Sequence, residues 1–156
     1  MKQFISLILA AACLISCVSK PASLGNFADG AGKEWKLLEI SIESEIKRDI
    51  IFDRNTLKKE GSGEIFIMQY NTETISGTAA PNRYSAPFTL GENLSITLTS
   101  PMNTTQLAPL FQPEKLPEQD YYVYMQGIYQ WKPVDGNLEF LSKTEDGREV
   151  RIIFGQ

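Results

Sequence analysis

The sequence predicts a mainly β (α+β) domain: a small antiparallel barrel or curved sheet of about eight strands, with one helix packed at one end. Three observations carry this. Short stretches of apolar–polar alternation recur between Trp35 and Phe154, glycine-containing turn signals separate them, and a single stretch after Pro117 has helical spacing.

Ahead of these elements, Met1 to Cys17 has the layout of a bacterial lipoprotein leader. Lys2 supplies a positive start, Phe4 to Ile15 is an almost unbroken apolar run, and Leu14-Ile15-Ser16-Cys17 closes it as a lipobox. A leader's apolar core is about 7 to 15 residues long, whereas a membrane span needs about 20, so the run is too short for a stable anchor. Residues 1–16 are expected to be removed and Cys17 to become the lipidated first residue. A cut near Ala10 to Ala12, or lipidation of Cys13, matches the leader layout less well. Val18 to Gly32, rich in Ser, Ala, Gly, Pro and Asn, reads as a flexible tether reaching at most about 50 Å.

The domain is expected over residues 33–156. Trp35 to Ile42 alternates as a half-buried strand, and Ile50 to Phe52 is a short strand running into a turn at Asp53-Arg54-Asn55. Lys58 to Glu60 reads as a solvated loop, and Gly61-Ser62-Gly63 breaks the chain. Glu64 to Tyr70 is a strand with both faces partly buried; Glu73 to Thr78 and Ser85 to Leu90 follow, joined by a turn at Pro81 to Tyr84. Gly91-Glu92-Asn93 signals a hairpin into Leu94 to Leu98. Pro101 to Pro117 holds four prolines and is expected to be a long connection. Pro117, Glu118 and Asp120 suit a first helical turn, and Tyr121, Tyr122, Met125 and Ile128 lie at helical spacing, predicting a helix that ends near Gly127. Tyr129 to Val134 contains Pro133 and so belongs at an edge or bulge. Asp135-Gly136 and Asp146-Gly147 are tight-turn signals leading into Leu138 to Leu141 and Glu149 to Phe154.

Removing 16 of the 156 residues leaves 140, the size of one domain with a real core. The net charge of -4 becomes -5 when Lys2 is lost, so neither nucleic acid nor an anionic surface is attracted by charge. Membrane attachment therefore rests on lipid. Cys13 and Cys17 are the only cysteines and there is no histidine, which excludes an internal disulfide, a Ser-His-Asp triad, a Cys-His pair and the usual zinc and copper sites. No metal or cofactor is expected.

Several motifs resemble the META domain of the HslJ-like bacterial lipoproteins. They are Trp35-Lys36-Leu37, Ile75-Ser76-Gly77 before Asn82-Arg83-Tyr84, Leu94-Ser95-Ile96, Thr104-Thr105-Gln106-Leu107-Ala108 and Asp135-Gly136-Asn137-Leu138. The match runs from about Lys33 to Phe154. Pro81 and Pro109 stand where the family often has cysteine, and Ala79-Ala80 replaces its usual glycine. The resemblance implies a helix-capped β fold on an envelope lipoprotein, with a non-enzymatic role in envelope stress or secretion; Val18 rather than Asp after Cys17 resembles the pattern of lipoproteins sorted to an outer membrane.

Asn82, Arg83 and Tyr84, together with Thr104 and Thr105, form the candidate polar patch, since Arg presents a planar donor fork and the others complete a pocket. The structural alternative has Asn82 making the turn and Tyr84 packing inside. Acidic pairs such as Glu118/Asp120 and Asp135/Glu145 sit at helix-start and hairpin positions, where structural reasons suffice. Three functions follow: a lipid-tethered module that binds another envelope protein, a carrier whose apolar lumen is lined by Phe66, Met68, Tyr122 and Trp131, and a carboxylate-based hydrolase. The first is favoured.

Overall fold

The computed structural model describes residues 25–44, 46–57, 65–108 and 111–156. The leader, Cys17, the tether up to residue 24, the Lys58 to Glu60 loop and the Gly61 to Gly63 break lie outside the described residues.

Among the described residues ten strands form one antiparallel sheet. They are β1 (Trp35–Glu43), β2 (Arg48–Asp53), β3 (Ile67–Tyr70), β4 (Thr74–Thr78), β5 (Arg83–Leu90), β6 (Ile96–Leu98), β7 (Asn103–Thr104), β8 (Gln130–Val134), β9 (Asn137–Lys143) and β10 (Glu149–Gly155). Among the described residues one α-helix, α1, spans Glu118–Gln126. The path across the sheet is β6-β5-β4-β3-β1-β10-β9-β8, with β2 on β1 and β7 on β5. The mainly β, one-helix class is as expected, with two corrections. The two-residue β7 lies inside the proline-rich connection, where no strand is expected. The sheet is curled rather than a closed barrel: β6 and β8 meet at one bridge, Ser95 to Gln130, beside bonds from the Ile96 N–H to the Tyr129 carbonyl (3.1 Å) and from the Trp131 N–H to the Leu94 carbonyl (2.9 Å). Three residues of β6 and a β8 carrying Pro133, which has no N–H to donate, do not extend that bridge into a ladder.

Strand β1 is the hub. One edge carries β10; the other is shared, with Trp35 and Lys36 opposite β3 and Glu39 to Glu43 opposite β2. At the fork between β2 and β3 no continuous ladder is possible, so carbonyls there need other donors. Arg54, on a single 3₁₀ turn after β2, supplies them: its guanidinium donates to the carbonyls of Leu37 and Ile65, the latter at 2.8 Å. The Leu37 N–H donates to the Phe66 carbonyl at 2.9 Å.

The turns follow their residues. Asp135 (φ 50°) and Gly136 (φ 81°) both adopt positive φ and make the two-residue turn that Asp-Gly favours. The second Asp-Gly differs from expectation, because it lies within the longer Thr144–Arg148 connection, closed by the Thr144 N–H to the Arg148 carbonyl (3.0 Å). Gly77 is required by packing: a Cβ there would stand 1.9 Å from the Ile67 carbonyl oxygen and 2.7 Å from the Tyr84 hydroxyl.

Alternate residues of the strands bury one continuous apolar core, including Trp35, Leu37, Ile40, Met68, Ile75, Phe140, Ile152 and Phe154. Both ends of the curled sheet are plugged. At the end where β1 begins, the 3₁₀ turn Phe27–Gly30 places the Phe27 ring 4.1 Å from Tyr70, 4.9 Å from Trp131 and 5.5 Å from Phe88. The Tyr70 hydroxyl donates to the Phe27 carbonyl (2.7 Å), the Trp35 indole N–H to the Gly30 carbonyl (3.1 Å), and the Gly32 N–H to the Tyr70 carbonyl (2.8 Å). The expected tether is therefore too long as drawn. Phe27 is 1% exposed, and the stretch from Asn26 to Gly32 is part of the fold, because a ring of that size gains more from the core than from water. The opposite end is plugged from α1, where Tyr121 lies 4.8 Å from Phe66 and 5.6 Å from Tyr84.

On the outer face an ion ladder crosses five strands. Lys132 of β8 is 2.9 Å from Glu139 of β9, whose other oxygen is 2.6 Å from Arg151 of β10. Arg151 reaches Glu43 of β1 at 3.9 Å, and Arg48 of β2 pairs with both Glu43 and Glu39. The Glu139 side chain is fully covered by its partners. Burial alone would raise its pKa, but the hydrogen bonds from Arg151 and Lys132 outweigh it and hold the carboxyl below the usual range. A carboxyl depressed in the folded state contributes stability above its unfolded pKa and loses it as pH falls through the folded value. Urea unfolding from pH 7 downward is therefore expected to show stability falling below about pH 4.5. In Glu139→Gln that part of the fall disappears and stability at pH 7 is lower.

Candidate functional site

The densest polar cluster lies at the helix end of the sheet, in the loop between β4 and β5. Ala79, Ala80 and Asn82 are buried there, and the Ala80–Pro81 peptide is cis. Buried backbone donors need partners. The carboxylate of Glu118, the first residue of α1 and 3% exposed, provides them: its Oε1 accepts from the Ala80 N–H and the Asn82 N–H, both at 2.7 Å. Its Oε2 accepts from Asn82 Nδ2 at 2.6 Å. The helix N-terminus favours a negative charge at this position, so one acid serves helix and loop together.

Asn82 is saturated. Nδ2 also donates to the Leu107 carbonyl (3.1 Å), while Oδ1 accepts from Thr105 Oγ1 (2.8 Å) and the Leu107 N–H (2.6 Å). Thr105 Oγ1 in turn accepts the Arg83 N–H at 3.1 Å. Two buried donor and two buried acceptor positions of one amide thus stitch the β4–β5 loop to α1 and to the connection after β7.

Of the five sequence-predicted patch residues, Asn82 and Thr105 come together directly, and Arg83 joins them through its backbone. Tyr84 points inward; its hydroxyl donates to the Ile67 carbonyl (3.3 Å) and lies 2.8 Å from the Tyr121 hydroxyl. Burial raises the pKa of Tyr84 and of Tyr121, keeping the pair neutral. Thr104, opposite Tyr84 in β7, is exposed. The Arg83 side chain is exposed on the outer face, beside a shallow cleft of about 350 Å³ that Glu34, Gln69 and Ser76 also line. The arrangement follows the structural alternative for Asn82 and Tyr84. Glu118, the centre of the cluster, is visible in sequence only as a helix-start acid, because nothing local tells that the β4–β5 loop folds onto it.

A second feature borders this cluster. Beside α1 an open cleft of about 460 Å³ is lined by Pro101, Met102, Gln119, Tyr122, Val123 and Gln126, with Val123 47% exposed. The Tyr122 hydroxyl is buried without a hydrogen bond of good geometry; burial, and then the neighbouring Glu118 charge, raise its pKa. Among the described residues no group of three His, Cys, Asp or Glu side chains is placed to hold a metal ion. No described helix is long and apolar enough to cross a membrane.

No family model matches the chain, and no curated relative matches it. A solved structure described as the NMR structure of the protein from Burkholderia xenovorans is similar in fold, with a TM-score of 0.52 and 12% identity over 81% of this chain and 84% of that one. At that identity the likeness is one of fold alone.

Removing the Glu118 carboxylate would leave two buried backbone N–H groups without acceptors, each costing about 1–3 kcal/mol. Glu118→Ala is expected to lower unfolding stability by about 3 kcal/mol in denaturant titration, and Thr105→Val by about 1 kcal/mol. Equal small losses in the two variants would contradict the central role of the carboxylate.

Proposed function

We propose that the protein is a lipid-anchored cell-envelope lipoprotein with a META-like domain, held by acyl chains on Cys17 to the outer membrane, and that it works by contact with another envelope protein rather than by catalysis. The observation that carries this reading is the consumption of its candidate chemistry. Asn82 and Glu118 spend their bonding positions on each other and on backbone groups, and Glu139 is enclosed by Lys132 and Arg151. Side chains so engaged are poor acids, bases or ligands for a substrate. What is left is surface.

The META resemblance has support in packing. Gly77 of the Ile75-Ser76-Gly77 motif lies where only hydrogen fits, Asn82 of the Asn82-Arg83-Tyr84 motif clamps three segments, and Asp135-Gly136 turns β8 into β9. Each motif thus does work for which its residue types are suited. The carrier reading is less well supported, since Phe66, Met68 and Trp131 are packed in the core and Tyr122 is 91% covered.

Two measurements test the proposal in cells. Metabolic labelling with a fatty-acid analogue is expected to mark the chain, and Cys17→Ser to abolish the label and release the protein from the membrane fraction. A photo-crosslinking amino acid in place of Val123, on the helix-end surface, is expected to give one recurrent adduct with an envelope protein, while the same group at Lys132 gives none. Labelling without any adduct at several helix-end positions would refute the contact role.

A further inference from the structure

The end of the sheet opposite α1 carries a feature that the anchoring of Cys17 makes meaningful. Two leucines stand in solvent on one hairpin there: Leu90, 47% exposed at the end of β5, and Leu94, 42% exposed just before β6. Leu94 is held at φ 60°, a left-handed conformation disfavoured for a leucine, and Asn93 before it at φ 55°. Neighbours hold the backbone there. The Trp131 N–H donates to the Leu94 carbonyl (2.9 Å), Gln130 Nε2 to the Asn93 carbonyl (3.1 Å), and the Gly91 N–H to the Ser95 carbonyl (3.1 Å). The hairpin is thus a fixed apolar projection.

It stands at the end where the chain enters the fold. Because β1 and β5 are antiparallel through β3 and β4, the start of β1 and the end of β5 share one rim. Phe27, just ahead of β1, lies 5.5 Å from Phe88 and 4.9 Å from Trp131, the residue bonded to Leu94. Only eight residue steps separate Cys17 from Gly25, a span of at most about 29 Å. A lipid on Cys17 would therefore hold the start of the domain within about 29 Å of the bilayer, with this rim as the end nearest the anchor. Asp29, Glu34, Glu73 and Glu92 are exposed on the same rim beside two exposed cations, Lys33 and Lys36, the latter 3.8 Å from Glu34, so the balance is negative and anionic headgroups are repelled while ammonium-bearing ones are not.

We propose, resting on the lipid-anchored reading, that Leu90 and Leu94 dock the domain onto a bilayer of zwitterionic phospholipid, inserting at headgroup depth beside the acyl chains on Cys17. The helix end and its cleft then face away from the membrane, where a protein partner reaches them. Apolar side chains lodged in the interface and acyl anchors on the same rim act as two linked contacts, so the orientation is held more firmly than by either contact alone.

The test uses the full lipoprotein. With the leader gone and Cys17 acylated, Leu94→Cys and, separately, Leu90→Cys each introduce a single reactive thiol for an environment-sensitive fluorophore; Glu145→Cys at the helix end is the control. The protein is placed in phosphatidylethanolamine–phosphatidylcholine vesicles containing a shallow nitroxide-labelled lipid, and unchanged tryptophan emission verifies the fold. Quenching at positions 90 and 94 is expected to be at least threefold stronger than at 145, and to weaken when half the lipid is replaced by phosphatidylglycerol at low salt. Equal quenching at all three positions would overturn the docking, and quenching that grows with phosphatidylglycerol would overturn the zwitterionic preference. A probe at 94 that is exposed in vesicles but shielded in native membranes would assign the hairpin to a protein and also overturn it. Failure of the anchoring reading is read separately, as a mass lacking diacylglycerol on Cys17.

Discussion

Phe27 in its aromatic cage is the contact on which the rest of the molecule depends. A curled sheet with its edges joined by a single bridge would leave Tyr70, Phe88 and Trp131 open to water at the end where β1 begins. The ring closes that end, and three hydrogen bonds from Tyr70, Trp35 and Gly32 fix the turn that carries it. Burial of a phenyl ring contributes about 2–3 kcal/mol, and loss of the ring would add the cavity it leaves. The same segment leads back to Cys17. Ten residues of chain thus separate the buried ring from the proposed anchor.

At the far end the constraint is polar. The loop between β4 and β5 buries backbone donors that no strand can satisfy, and the Glu118 carboxylate answers two of them from the first turn of α1. The helix is therefore positioned by its N-terminal acid as well as by Tyr121, which fills the space among Phe66 and Tyr84. One plug is aromatic and carried by the N-terminal segment; the other is aromatic and polar and carried by a helix. The ion ladder through Glu139 fastens the strands between them from outside.

Local pattern made most of the elements legible. Alternation marked β1, β6 and β10, Asp135-Gly136 marked its hairpin, Pro133 marked an edge strand, and the Pro117-Glu118 start with Tyr121 and Met125 marked α1. What was not legible required contacts distant in sequence. Phe27 sits in a polar, glycine-rich stretch, and its partners lie at positions 70, 88, 131 and 140. Glu118 meets Ala80 and Asn82 across a proline-rich connection, so its burial carries no local signature. The two-residue β7 is too short to alternate. Asn82, Arg83, Tyr84, Thr104 and Thr105 are neighbours in sequence motifs, yet the strand period of two sends Tyr84 inward and Arg83 outward, so they do not build one pocket.

The segment around Phe27 belongs to the folded core, so the proposed lipid on Cys17 would also orient the domain. Native-state hydrogen exchange at the Gly32 amide and the Trp35 indole N–H tests it most directly, because both protons are held only if the Phe27 turn is docked on the sheet. Both are expected to exchange with the slow core amides of β1 and β10, near the free energy of global unfolding. Rapid exchange at both sites, while β1 and β10 stay protected, would contradict it.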